Sequence, residues 1–376
     1  MLSKTRSLII VCVLMGLFLT MFTGPIIRAE EDVEVYKIGF VNHLTGDLAL
    51  YGESKRNGIE LGVKKINENG GINGTPVEVI YEDDRGGAAG AVTAARKLID
   101  TDEVPAIIGS GASSCTLAML PLCKEANTLV ISPASTHPSL REYTETYFGM
   151  MPTDEVQGRY LANFAHKKGI EDVAIMVINN DYGLGNLETF SEYYEGNIVG
   201  SEVFNGGRTD YRSELLKIRS KNPKAVFLIA YAKEGGIILK QAREMGIDVP
   251  MYGDATLSTE AVIETAGAGS RNFYALVPGD PESPEYKEFS EDFMETYGTK
   301  PTIWSDFAYD AFMLIAKGIE EAGYSADEIR EYLRNVEGYR GVSGIKTFDE
   351  AGIVTAAYSF YAVEDGEFVY WDWQAN

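Results

Sequence analysis

A loop of small and hydroxyl-bearing residues separates the apolar segment Ala106–Gly109 from a helix-like pattern, and it reads GSGASS over residues 109–114. Backbone N–H groups at a helix N-terminus lack partners, and the helix dipole adds a partial positive charge there. With the hydroxyls of Ser113, Ser114 and Thr116, this loop predicts a site for an anion, and a carboxylate fits it. A Ser113 that caps the helix is a second interpretation, compatible with the first.

Catalytic interpretations of the same loop lack the residues that each chemistry needs. A dinucleotide fingerprint requires a third glycine, a nucleotide-hydrolase phosphate loop ends in Gly-Lys-Ser/Thr, and a nucleophile elbow reads Gly-x-Ser-x-Gly. These strings do not occur here. His137 with Ser113 is the best base–nucleophile pair on offer, but nothing in the sequence orients it, so we expect no enzyme activity.

Metal, cofactor and disulfide chemistry are not expected either. His43, His137 and His166 do not have metal-ligand spacing. Cys115 and Cys123 on one helix would lie about 12 Å apart at 1.5 Å per residue. That exceeds the roughly 7 Å that a disulfide spans, so we predict two free, buried thiols.

A second loop with similar chemistry follows the apolar segment Leu129–Ser132. It reads PASTHPSL over residues 133–140. Ligands of open α/β sheets bind at the carboxyl ends of the strands, so both loops should face one crevice. Ala134 offers a carbonyl, Ser135 and Thr136 offer hydroxyls, and two prolines stiffen the loop.

The elements that position these loops alternate between strand-like and helix-like segments from residue 35 to residue 253. Such alternation predicts parallel sheets with crossover helices, since parallel strands need long return connections. The pattern restarts after Asp154, which indicates two similar lobes. The last third is mixed and ends in a predicted hairpin around the turn EDGE.

Composition limits the possible partners. The chain has 376 residues, 45% hydrophobic and 24% charged, with a net charge of -23, which is the composition of a globular protein of two or three domains. The negative charge argues against nucleic acid, which requires a basic face, and against adhesion to anionic lipid.

The N-terminus has the three-part pattern of a secretory signal. Lys4 and Arg6 precede an apolar stretch, Gly24-Pro25 interrupts it, and a small-residue cleavage site ends at Ala29. We expect residues 1–29 to be removed and the mature protein to act in the periplasm or on the extracytoplasmic face of the membrane. Because the apolar stretch is almost long enough to cross a bilayer, an uncleaved anchor is the alternative.

Four segments in order resemble the periplasmic binding proteins for branched-chain amino acids. They begin with IGFVNHLTGDLALYGESKRNG (from residue 38), continue through residues 107–140, and end with NNDYGLG (179–185) and YGDATL (252–257). The resemblance implies a type I periplasmic-binding-protein fold, with two doubly wound α/β lobes and a hinge crossed near Thr153, Pro278 and Val342. Lobe I would comprise residues 34–153 and 279–342, and lobe II residues 154–278 and 343–376.

The resemblance also implies a function. Members capture a small ligand between closing lobes and deliver it to the permease of an ABC importer, without catalysis; a monomer is the simplest assembly. A ligand-sensing receptor domain is the alternative role. Amides, urea or aromatic acids are the alternative ligands.

Site residues are implied one by one. Ser113, with Ala112 before it, matches the position that holds the ligand α-carboxylate. Ala134 and Thr136 match the carbonyl and hydroxyl of the second loop, and Tyr51 matches the aromatic that closes over the ligand.

The second lobe would supply the remaining contacts. Tyr231 matches a ligand-contacting tyrosine, and Asp254 is the candidate partner of the ammonium, although one ungapped comparison places that acid at Ala255. Tyr182, with Asp181 beside it, lies near the crevice mouth. Two aromatic residues, Trp304 and Tyr309, could line the ligand side chain, but their helical spacing favours a place in the core.

Overall fold

The structure, a computed structural model, describes residues 34–355 and 358–374. The predicted signal sequence, residues 1–29, lies outside these ranges. Within them, no helix combines the length and the apolar character needed to cross a membrane.

The first sheet has five parallel strands in the order β2-β1-β3-β4-β5. Its strands are β1 (Tyr36–Asn42), β2 (Val77–Asp83), β3 (Ala106–Gly109), β4 (Leu129–Ser132) and β5 (Tyr147–Gly149). Helices α1 (Ala49–Glu68), α2 (Ala88–Asp100) and α3 (Ser113–Glu125) connect the first four strands. Every residue of β3 and β4 is buried, as expected for parallel strands covered on both faces.

The second sheet has seven strands in the order β14-β13-β10-β9-β8-β6-β7. Its parallel part contains β6 (Asp172–Ile178), β7 (Asn197–Phe204), β8 (Ala225–Ile229), β9 (Met251–Gly253) and β10 (Phe273–Pro278). The helices that accompany it are α4 (Asp154–Lys167), α5 (Asp181–Tyr193), α6 (Arg212–Ser220), α7 (Ala232–Glu244) and α8 (Glu260–Ala266). The predicted terminal hairpin is β13 (Tyr358–Glu364) and β14 (Glu367–Trp371), which pairs antiparallel at the sheet edge.

The remaining elements return to the first sheet. They are α9 (Pro284–Tyr297), α10 (Ser305–Glu321), α11 (Ala326–Arg334) and the small hairpin β11 (Tyr339–Gly341) and β12 (Gly344–Lys346). Both α9 and α10 pack against α1. The predicted alternation and terminal hairpin are confirmed, whereas β5, β10, α8, α11 and the β11–β12 hairpin were not predicted. Ser113 is the first residue of α3 and not its cap.

The chain passes between the two sheets after β5, after β10 and before β13. The last passage differs from the expectation. Gly149 of β5 donates to Gly352 O at 2.9 Å and accepts from Val354 N at 3.0 Å, and Ile353 packs in the core of the first sheet. These contacts show that the third crossing comes after Val354 and not near Val342. The other expected lobe bounds remain predictions.

Candidate functional site

A cavity lies where the loops after β3 and β4 meet the loops after β8 and β9 and the starts of α4 and α5. The space free of atoms at this site, including the part that is open to solvent, is about 350 Å³. It is lined by Gly111, Ala112, Ser113, Ala134, Thr136, Met151, Gln157, Tyr182, Tyr231, Ala255, Thr256 and Trp304. The carboxyl ends of both sheets therefore face one site, as the position of ligands in open α/β sheets predicts.

Ser113 is the first residue of α3 and is buried. Its Oγ accepts hydrogen bonds from the N–H groups of Thr136 and His137, both at 3.3 Å. The residue before the helix is Ala112, whose side chain caps nothing. The Ser113 hydroxyl hydrogen and the first N–H groups of α3 are thus available as donors, and they add to the positive end of the helix dipole.

The second loop presents two of its three predicted residues to the cavity. Ala134 and Thr136 line it, and Thr136 Oγ1 is buried without a hydrogen-bond partner among the described residues. Ser135 points behind the loop, where its Oγ lies 2.9 Å from Ser110 O and 2.7 Å from Thr116 Oγ1. Ser135 therefore holds the two loops together in this conformation, and a direct contact with ligand stays a prediction.

Tyr51 extends from α1 across the crevice to the second sheet. Its hydroxyl donates to Thr256 O at 2.9 Å and accepts from Ala232 N at 2.8 Å. Its ring centroid lies 5.5 Å from that of Trp304 and 6.0 Å from that of Tyr231. These rings form an apolar wall, and the two hydrogen bonds fasten the two halves to each other.

Tyr231 and Tyr182 continue the aromatic wall from the second sheet. Their rings are stacked, with centroids 6.1 Å apart. The Tyr182 hydroxyl donates to Asp254 Oδ2 at 2.6 Å. Both tyrosines line the cavity, whereas Asp181 is exposed at the start of α5 and does not line it.

Asp254 lies behind the cavity wall, and its neighbour Ala255 forms part of that wall. The carboxylate is fully buried and accepts from Tyr182 and, at 2.5 Å, from Thr256 Oγ1. Burial raises its pKa from 3.8 to about 7, and hydrogen bonds from the two hydroxyls counteract part of that rise. Asp254 is thus close to the site without direct access to it in this conformation.

A second buried carboxylate beside the site belongs to Asp154, which no motif in the sequence marks. Its N–H donates to Thr136 O at 2.7 Å, and its buried carboxylate lies beside the Thr136 and Asn186 side chains without a hydrogen bond of good geometry to any described residue. Burial raises its pKa to about 7; the neighbouring Thr136 and Asn186 side chains lower it, and Asp254 raises it further. In the sequence Asp154 looks like an ordinary acidic residue in the first turn of a helix, and the helix dipole favours such residues in any helix.

The two aromatic residues before and within α10 have different environments. Trp304, at φ 67° just before the helix, lines the cavity. Tyr309 packs against Phe289, with ring centroids 5.2 Å apart, away from the cavity. Both residues are buried in hydrophobic clusters, as their helical spacing favoured, and Trp304 in addition forms part of the cavity wall.

The site combines two opposite electrostatic features. Donors converge at Ser113 and the start of α3, and two buried carboxylates, Asp154 and Asp254, lie beside the same cavity. Buried charges are costly unless they are paired. A small zwitterion would pair both features at once.

Comparison with known proteins gives consistent results. The family model described as periplasmic binding protein matches residues 35–367. A leucine-, isoleucine-, valine-, threonine- and alanine-binding protein of Pseudomonas aeruginosa is 27% identical over 344 residues, which are 89% of this chain and 91% of that protein.

Solved structures extend the likeness to three dimensions. The branched-chain amino acid transporter substrate-binding protein LivJ of Streptococcus pneumoniae, in complex with isoleucine, has a TM-score of 0.84 and 30% identity, covering 89% of this chain and 99% of that one. The leucine-binding protein LivK of Thermotoga maritima has a TM-score of 0.83 and 27% identity, covering 89% and 97%. A Rhodopseudomonas palustris solute-binding protein in complex with benzoate, 19% identical with a TM-score of 0.81 over 89% and 95%, shares the fold.

Proposed function

Because the chain belongs to the periplasmic binding protein family, whose members are solute-binding proteins of transporters and not enzymes, we propose that its ligand is a free α-amino acid. The protein is the substrate-binding component of an ABC importer. The observation that carries the amino-acid assignment is the pairing of a donor-rich helix start at Ser113 with the buried carboxylates of Asp154 and Asp254.

The α-carboxylate is assigned to the first half of the site. The free hydroxyl hydrogen of Ser113 and the N–H groups at the start of α3 point to an anion there. The α-ammonium is assigned to Thr136 Oγ1, the Ala134 carbonyl and Asp154, since neither Thr136 Oγ1 nor the Asp154 carboxylate makes a hydrogen bond of good geometry with the described residues. Asp254 lies behind the cavity wall, where it accepts a hydrogen bond from the Tyr182 hydroxyl, and its negative charge would also favour an ammonium in the cavity.

Closure is assigned to contacts that join the halves. Tyr51 bonds to Thr256 O and Ala232 N, and Lys233 Nζ lies 2.8 Å from Asp47 Oδ1 at the rim. Ligand bound to one lobe would stabilise the closed arrangement by touching the other, and the importer's permease would bind that closed form. We further propose that the mature chain acts outside the cytoplasmic membrane as a monomer.

Relatives define the first compounds to test. The names of the Pseudomonas relative and of the two solved structures include leucine, isoleucine, valine, threonine and alanine. An aromatic acid, as in the benzoate complex, is the second candidate ligand. It has no ammonium and would leave Asp154 without a cationic partner, which is costly for an ionised buried group.

A thermal-unfolding screen tests this assignment. The mature protein would be heated with each L-amino acid, with benzoate and with urea. A ligand at 100 times its Kd adds about 2.7 kcal/mol of stability, which shifts the midpoint by several degrees. We expect an L-amino acid to stabilise the protein, and Asp154→Asn to remove most of that shift. Stabilisation by benzoate or urea alone would refute the assignment.

A further inference from the structure

A buried lysine lies next to the cavity and has no role in the recognition described above. Lys55, on α1, has no solvent exposure. Its Nζ donates to Tyr51 O at 3.1 Å and stands 4.9 Å from the ring centroid of Trp304, a cavity residue. An ammonium group carries three donors, and this is the one hydrogen bond that it makes with the described part of the chain.

Gly111, a residue of the cavity wall without a side chain, lies directly beside this lysine. Gly111 lines the cavity, and a Cβ on it would lie 2.6 Å from Lys55 Nζ, 2.9 Å from Asn42 Oδ1 and 3.0 Å from His43 Nε2. A side chain at position 111 would therefore collide with this polar group. The Nδ2 atom of Asn42 is also buried without a hydrogen-bond partner among the described residues. The side chains of Lys55 and Asn42, each with unused donors, thus lie beside one glycine.

The positive charge of Lys55 is not neutralised by a contact. Among the described residues it forms no ion pair within 4.0 Å. Asp84 acts on it through space, while the oxygens of that carboxylate accept from His43 Nδ1 at 2.8 Å and from Ser110 Oγ at 2.6 Å. Burial lowers the pKa of Lys55 to about 7, and Asp84 opposes that shift. A buried ammonium in this position gains strongly from a direct anionic partner.

We propose that Lys55 Nζ, beside Gly111, binds a carboxylate on the ligand's side chain, so that the ligand is an acidic amino acid. This inference rests on the proposed function, since the α-carboxylate and α-ammonium occupy the Ser113 and Asp154 positions and leave the second carboxylate for Lys55. The side-chain carboxylate would accept from Lys55 and from Asn42 Nδ2.

The pH dependence follows from the groups that face Lys55. These are Asp84 after β2, His43 after β1, and the Tyr51 carbonyl and Trp304 ring, which are not charged. A bound carboxylate holds Lys55 protonated. The lysine of the ligand-free protein is mostly neutral above pH 7. At pH 8, Lys55 should therefore take up a proton when an acidic ligand binds, but not when an aliphatic ligand binds.

The test is a set of titrations by calorimetry on the mature chain with L-glutamate, L-aspartate, L-glutamine, L-leucine and L-isoleucine. We expect an acidic amino acid to bind at least ten times more tightly than leucine or glutamine. Lys55→Met should remove that preference and leave leucine binding equal or stronger. Lys64→Met is the control, because Lys64 is exposed on the same helix and should not change any affinity.

A second measurement does not depend on the variant folding. Titrations at pH 8 in two buffers of different ionisation enthalpy give the protons taken up, and the value for glutamate minus that for leucine should be close to one. Leucine or isoleucine binding as tightly as the acids, or glutamine matching glutamate, would overturn the Lys55 inference and leave the proposed function standing. Binding of no amino acid would overturn the proposed function itself.

Discussion

The hydroxyl of Tyr51 offers a selective way to weaken closure, because Tyr51→Phe removes one oxygen and keeps the ring. That oxygen makes two hydrogen bonds between the halves, to Thr256 O and from Ala232 N, and all three groups are buried. A lost hydrogen bond costs about 0.5–1.5 kcal/mol net, and a buried group left without a partner about 1–3 kcal/mol. We expect closure to lose about 2–3 kcal/mol, so ligand affinity falls roughly 30- to 150-fold.

Calorimetry with the amino acid selected by the thermal screen measures the affinity, and small-angle X-ray scattering measures whether ligand still compacts the protein. Tyr194→Phe is the matched control. Its hydroxyl also serves two backbone groups, the carbonyls of Ile170 and Glu171, but all of these belong to the second half. Tyr194→Phe should lower thermal stability without changing affinity. A Tyr51→Phe protein that binds and compacts like the unmodified protein would refute the role of Tyr51 in closure.

Three further predictions concern the site and the thiols. Ser113→Ala should weaken amino-acid binding by about 1.5–3 kcal/mol, the value of a hydrogen bond to a charged group, and an unchanged Kd by calorimetry would remove Ser113 from the site. The folded pKa of Asp154, about 7, lies above its ordinary 3.8, so its contribution to stability is complete below about pH 4 and is lost as the pH rises through 7. Asp154→Asn should therefore raise the unfolding midpoint of the ligand-free protein at pH 8 while weakening binding, and a lower midpoint at pH 8 would contradict this. Burial raises the pKa of the Cys115 and Cys123 thiols to about 12, so neither should react with a thiol reagent at pH 8 until urea unfolds the protein, and rapid labelling of the native chain would disprove it.

Much of the fold is predictable because its signals are local. The apolar strands β3 and β4 and the loops after them are contiguous in sequence, and the direction of parallel strands puts both loops at one edge. Free, buried Cys115 and Cys123 follow from helix geometry alone, and both are confirmed. The family resemblance names residues that the structure brings to one cavity, among them Ser113, Thr136 and Tyr231; their roles in binding stay predictions.

Features that depend on distant contacts were not predictable. Asp154 differs from any first-turn helix acid only in its burial beside Thr136. Lys55 looks like one more lysine of a surface helix, yet the fold buries it completely beside Trp304 and Gly111. The histidines have no metal-ligand spacing, yet the fold places ligand-type atoms of His43, Asp84 and Cys115 within 4.8 Å of one another. Each of these arrangements joins segments that are far apart in the sequence.

The third crossing was misplaced for a similar reason. In the segment 347–355, between β12 and β13, the sequence does not indicate which sheet the chain joins. Two backbone hydrogen bonds decide it, one from Gly149 N to Gly352 O and one from Val354 N to Gly149 O. The partner in these hydrogen bonds is Gly149 of β5, about 200 residues earlier in the chain, so the segment's own sequence does not reveal them.

A crystal structure of the mature protein with its stabilising amino acid tests the central claim most directly. The account predicts an α-carboxylate within hydrogen-bond distance of Ser113 Oγ and the start of α3, and an α-ammonium at Thr136 Oγ1 and Asp154. A ligand in the opposite orientation, or one bound elsewhere with Asp154 still unpaired, would contradict it.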